Sequence, residues 1–219
     1  MAITKITFNT SASKEVQAEE LFNFFNTYGK KYFDTIELTE INTLTTIDCT
    51  ININSNYAKL RMQYVSGYWR GAIVSDIHEN TWNNTTDLKF KFGVVTSKGI
   101  AIQYTDSIYN FQIIVITKTK EGNTFIYMPV NAGSYKTPKW IDMKTGAYGG
   151  LPQFGAGSYL YYFTGNAAGV SLVPFLTETI YAYTPYFFRV MYSNQDGKIY
   201  KMTLNGFNYY TNGSVALLE

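Results

Sequence analysis

Between Leu88 and Met128 the apolar and polar positions alternate in four successive runs. Leu88, Phe90, Phe92 and Val94 are interleaved with Lys89, Lys91 and Gly93, a period of two that predicts a strand with one buried face. Thr96-Ser97-Lys98-Gly99 turns the chain, and Ile100, Ile102 and Tyr104 resume the alternation. Phe111 to Thr117 is mostly apolar and β-branched, the composition of a strand covered on both faces. Lys120-Glu121-Gly122-Asn123 makes the next turn, and Phe125 to Met128 completes a meander.

The rest of the chain reads around this meander. Residues 3–9 alternate and predict an opening strand. Ser13 suits a helix N-cap with Glu15 in the first turn, and Ala18, Leu21, Phe22, Phe25 and Tyr28 fall on one helical face. Gly29 then stands where a left-handed residue would end the helix. From Thr35 to Asn54 the alternation is near-strict, with Ile47, Cys49, Ile51 and Ile53 on one side, and reads as strand with one wet face. Asn54-Ser55-Asn56 turns into a strand from Tyr57 to Val65. A glycine-bracketed aromatic-basic loop, Gly67 to Gly71, leads to a strand at Ala72 to Ile77, and residues 80–87 read as a polar loop. Residues 131–169 are rich in glycine and tyrosine and predict an irregular excursion with one short strand at Ser158 to Phe163. Strands resume at Thr179 to Ala182, Phe187 to Tyr192 and Lys198 to Leu204. Asn205-Gly206 signals a tight hairpin into Phe207 to Tyr210, and Val215 to Leu218 closes the series.

Many short alternating segments and a single amphipathic stripe predict a mainly β protein, an antiparallel β-sandwich or partly closed barrel with one N-terminal amphipathic helix. The organisation expected is 1–130 for the helix and sheet, 131–169 for the excursion, and 170–219 for strands and hairpins completing the same domain.

Composition narrows the chemistry. A net charge of +2 gives no field for steering nucleic acid or an anionic membrane, and neither partner is expected. Cys49 is the only cysteine and His78 the only histidine, so an internal disulfide is impossible and a structural zinc site lacks ligands. Asp76 and His78 share a strand side, but no nucleophile elbow accompanies them. The glycines of 146–157 match neither a P-loop nor a dinucleotide fingerprint, and no cofactor is expected. Two carboxylates would suffice for a glycoside hydrolase, and the carboxylates are scattered; the leading expectation is a non-enzyme. The opening Met1-Ala2-Ile3-Thr4-Lys5-Ile6 lacks the features of a signal peptide, and no apolar run is long enough to span a bilayer.

With 20 tyrosines and 15 phenylalanines, aromatics are left over for contacts. The candidates are Tyr68, Trp69, Arg70 and Trp82 in loops, where a sugar face could stack, and Tyr135, Trp140, Tyr148, Phe154 and Tyr159 in the excursion, where a neighbouring subunit could pack. Gly93-Val94-Val95-Thr96-Ser97-Lys98-Gly99-Ile100-Ala101-Ile102, Ile116-Thr117-Lys118 and the ending from Leu204 to Leu218 resemble a β-rich structural virion protein of tailed phages and prophages of gut Firmicutes. The resemblance implies a particle-building role in the tail, neck or capsid surface, assembly in the host cytoplasm, and partnership with other virion subunits in a homo-oligomer. A carbohydrate- or receptor-binding module for surface glycans is the alternative.

Overall fold

The computed structural model describes residues 4–77, 82–105, 112–128, 140–149, 161–163, 170–172, 187–192, 200–204, 207–211 and 215–219. Among them lie one helix and seventeen strands in two sheets, so the protein is mainly β and antiparallel, as the alternation predicts.

The first sheet is a meander taken in chain order: β2 (Thr35–Ile41), β3 (Leu44–Ile53), β4 (Asn56–Val65), β5 (Tyr68–Ser75), β6 (Trp82–Val95), β7 (Gly99–Thr105), β8 (Gln112–Lys118), β9 (Thr124–Tyr127), β10 (Trp140–Asp142) and β11 (Tyr148–Gly149). β1 (Thr4–Thr7) pairs with β6 off this path. The strand that shapes the sheet is β6. Its first half pairs with β5, whereas Phe92 to Val95 pair with β7 on one side and β1 on the other. Register shifts occur on both sides, between Trp69 and Gly71 and between Phe90 and Phe92. Such bulges bend a strand and increase its twist. The bend folds β2–β5 over towards β7–β9, and at Gly71 a Cβ would stand 3.2 Å from Met128 Sδ beyond the end of β9. The sheet is thus partly closed around one core, in which Ile47, Cys49, Leu60, Met62, Trp69, Ile100, Ile102, Ile114, Ile116 and Ile126 face one another.

The helix α1 (Lys14–Tyr28) contributes Ala18, Leu21, Phe24 and Phe25 to that core. Ser13 caps it, its Oγ accepting from Val16 N at 3.5 Å. Phe24, which falls outside the stripe read from the sequence, presses on β6 at Gly93, where a Cβ would lie 2.2 Å from Cε2 of the ring. Phe22, on the predicted stripe, is only half-buried. Gly29 corrects another expectation. Its φ is −85°, right-handed, and its hydrogen there makes room for the carbonyl oxygen of Phe25, 2.6 Å from where a Cβ would be. Close approach, not a left-handed backbone, selects glycine at this position.

Strands β7 and β9 are buried on both faces, as are Ile114 to Thr117 of β8. The other sheet, which reaches the start of β7, has the order β13 (Val170–Leu172), β12 (Tyr161–Phe163), β14 (Phe187–Tyr192), β17 (Val215–Leu218), β16 (Phe207–Thr211) and β15 (Tyr200–Leu204). Leu217 lies against Gly99, its Cδ1 2.7 Å from the place of a Cβ, and Ser97 Oγ donates to Glu219 O at 2.7 Å.

Three expectations about the connections are corrected. Thr35 to Asn54 is two strands, because Asn42 turns the chain with φ 55°. Gly67 to Gly71 is no loop: Ser66 and Gly67, at φ 52° and 95°, make a tight turn and β5 starts at Tyr68. Residues 82–87 belong to β6. Within 131–169, β10 and β11 extend the first sheet, with Ile141 and Met143 in its core. This part of the excursion is therefore paired with the chain's own sheet.

Candidate functional site

The outward face of β2–β5 gathers the polar residues that the alternation leaves out of the core. Because Ile47, Cys49, Leu60, Met62 and Ile73 point inward, their sequence neighbours point out. The register then aligns Glu37, Asp48, Arg61 and Ala72 in one row, Thr39, Thr46, Gln63 and Arg70 in the next, and Thr35, Thr50, Lys59 and Val74 on the other side.

At the centre Arg61 holds Asp48 through a two-bond fork, Nε to Oδ1 and Nη2 to Oδ2, both 2.7 Å. Lys59 Nζ adds a contact to Oδ2 at 3.3 Å. Burial alone pushes the Asp48 carboxyl up, but the hydrogen bonds and charge of Arg61, with Lys59, outweigh it and bring the pKa below the ordinary carboxylate value. The same hydrogen bonding raises the pKa of Arg61. Gln63 Nε2 donates to Thr46 Oγ1 at 3.3 Å. Lys59 Nζ stands 4.3 Å from the Tyr57 ring centroid and the Arg70 guanidinium 5.3 Å from that of Tyr68, whose hydroxyl accepts from Arg70 Nη2 at 2.9 Å. Asp48, Arg61 and Lys59 thus satisfy one another within the face, which is a polar surface suited to contact.

Tyr68 and Arg70 are thus the contact candidates found on this face. Trp69 is not at the surface. It is 1% exposed on the opposite side of β5, stacks edge-on with Tyr64 at 5.5 Å and meets Phe90 at 5.9 Å, and its Nε1 donates to Gln17 Oε1 at 3.3 Å. The alternation across β5 makes it core, so it offers no ring to a ligand. The cleft beside it, bounded by Phe8, Asn9, Gln17, Leu21 and Phe90, has ≈ 10 Å³, room for about one water. Trp82, Trp140 and Tyr148 stand on strands β6, β10 and β11, with side chains outside the described set, and Tyr135, Phe154, Tyr159 and His78 lie outside the described residues.

Other carboxylates have structural tasks. Asp142, 2% exposed, caps the β10–β11 turn by accepting from Lys144 N and Thr145 N, and takes a third bond from Asn123 Nδ2. Asp34 accepts from Asn52 N at 2.7 Å. Among the described residues no group of three or more His, Cys, Asp or Glu is placed to hold a metal ion, and no helix is long and apolar enough to cross a membrane.

The polar face ends at β2, an edge strand that the hydropathy pattern alone does not reveal. Six of its seven residues are exposed, including Leu38 at 37% and Ile41 at 62%. The signal for it was Asn42, a residue that tolerates a left-handed turn and so separates an edge strand from β3. Compared with protein-family models, curated proteins and solved structures, the chain gives no significant match.

Proposed function

We propose that this chain is a structural protein of a phage or phage-like particle, working in the tail, neck or capsid surface through contacts with other virion subunits. The observation that carries the reading is the β2 edge. A strand at a rim offers a row of backbone N–H and C=O groups that another strand can pair with, and monomeric proteins blunt such rims with lysine, proline or bulges. β2 contains no lysine or proline, and its pairing with β3 runs unbroken from Thr35 to Ile41. Its inward-side charge, Glu40, is held by Lys14 Nζ at 3.9 Å and Thr45 Oγ1 at 3.2 Å, so it does not guard the edge. Among the described residues no strand pairs with this edge, and a long unbroken edge of this kind fits a protein whose work is assembly. The resemblance of the meander and the closing hairpins to virion proteins supports the same reading.

The glycan-binding alternative loses support on this surface. Trp69 is internal, and Tyr57 and Tyr68 carry the chain's own cations against their rings. Mass spectrometry of particles purified from the producing cells tests the proposal: the chain is expected among the particle proteins, and intact particles without it overturn the assignment.

A further inference from the structure

We propose that the partner strand at the β2 edge is β2 of a second copy of this chain, added antiparallel about a two-fold axis perpendicular to the sheet. This deepens the assembly reading by naming the occupant of the edge.

Self-pairing is selected by the residues of β2. One register alone pairs all seven: Thr35 with Ile41 of the second copy, Ile36 with Glu40, Glu37 with Thr39, and Leu38 with Leu38 on the axis. The members of every pair then have the same parity along the strand, so the backbone groups that β3 leaves free on one copy face those left free on the other. The apolar Leu38, 37% exposed on one chain, covers its own counterpart. No carboxylate stands directly opposite another in this register. A slip that brings Glu37 or Glu40 onto the axis sets like charges face to face, which is unfavourable. Glu40 lies 3.9 Å from Lys14 Nζ of its own chain, and Glu37 meets a neutral threonine. An isologous contact of this kind closes on itself, so it forms a dimer and leaves no further edge of β2 to propagate.

The remaining edges among the described strands offer less. β11 has two residues, β13 three, β1 four and β15 five, against seven in β2.

The test is sedimentation equilibrium of the full chain and of two variants, with circular dichroism and thermal melting to verify the fold. The wild type is expected to show a concentration-dependent monomer–dimer equilibrium. Leu38→Lys places two ammonium groups opposite each other on the axis and is expected to weaken the dimer about tenfold or more, with unchanged circular dichroism. Thr39→Lys faces Glu37 of the other copy twice and is expected to tighten the dimer about threefold at low salt, an effect lost at high salt. A wild type that stays monomeric at all concentrations overturns the proposal. So does a dimer that Leu38→Lys leaves intact, or one that Thr39→Lys does not tighten. These results are read on the isolated chain and stand apart from its presence in particles, so either reading can fail without the other.

Discussion

At Gly93 helix and sheet approach so closely that a single methyl group has no room. The Phe24 ring occupies the space, with three ring carbons between 2.2 and 2.8 Å from where a Cβ would be. Gly93→Ala is therefore expected to cost about 1–3 kcal/mol, the usual range for overpacking, measured by urea denaturation. Trimming the ring should recover part of it: in Gly93→Ala combined with Phe24→Leu, the loss is expected to be smaller than the sum of the two single losses, since the residues share one space. Strict additivity would show that the clash relaxes elsewhere. Asp48 is decisive at this scale for a different reason. With its side chain 15% exposed and fixed by Arg61 and Lys59, its loss leaves two cations without their counterion. Asp48→Asn is expected to lower stability by about 1.5–3 kcal/mol, the range for hydrogen bonds to charged groups. The depressed pKa of Asp48 gives the sign of the pH effect. Its contribution is present above the ordinary value of 3.8 and fades as pH falls through the lower folded value, so Asp48→Asn should flatten the acid limb of a stability–pH curve.

The elements show which parts of the sequence were legible. The period of two in Leu88 to Met128 is direct, because each strand there must bury at least one face, and β7 to β9 and the second half of β6 lie where the alternation puts them. The helix is legible from Ser13 onwards, since a capping serine followed by apolar residues three and four apart suits a helix and no strand. What escaped was set by single residues and by tertiary contact. Asn42 divides one long alternation into a hairpin, and the core-facing positions change parity across it, from Ile36 and Leu38 to Ile47 and Cys49, a break that apolar Ile41 and Leu44 beside the turn obscure. Trp69 reads as a loop aromatic because glycines bracket it, yet Gly67 serves a two-residue turn and Gly71 a close approach to Met128. The ion pair of Asp48 and Arg61 depends on the register of β3 against β4, which composition does not encode. The candidate contact edge was hidden for the same reason: which strand stands at a rim is a property of the sheet order. Gly29 gives the element-scale prediction. If a left-handed backbone selected it, Gly29→Asn would be nearly neutral, because asparagine tolerates that region. At φ −85°, with the Phe25 carbonyl where the side chain must go, both Gly29→Asn and Gly29→Ala are expected to lower the melting temperature by similar amounts.

For the whole molecule the core itself sets an alkaline limit. Cys49 is fully buried on β3, between β2 and β4, and burial, assisted by the nearby Asp48 charge, raises its pKa well above the ordinary 9.0. Tyr32, 4% exposed in the connection between α1 and β2, is raised above its ordinary 10.0 by burial as well. Both groups stay protonated in the folded chain at a pH where the unfolded chain ionises them. Their contribution is complete below the ordinary values and is lost as pH rises above them, by about 1.4 kcal/mol per pH unit for each group while the folded form remains neutral. Stability should thus hold across neutral pH and fall first above pH 9 and more steeply above pH 10. Tyr32→Phe separates the two contributions. It removes the tyrosine from the alkaline limb and deletes a buried hydroxyl that has no hydrogen-bond partner among the described residues, so no loss of stability at neutral pH is expected. The thiol supplies an independent readout, because only an opened chain exposes Cys49 as a thiolate. Labelling by a disulfide reagent at pH 8 is expected to be slow in water and to accelerate with urea along the same curve as global unfolding. Rapid labelling without denaturant would show that β2 and β3 open locally, and that the two halves of the sheet do not share one cooperative core.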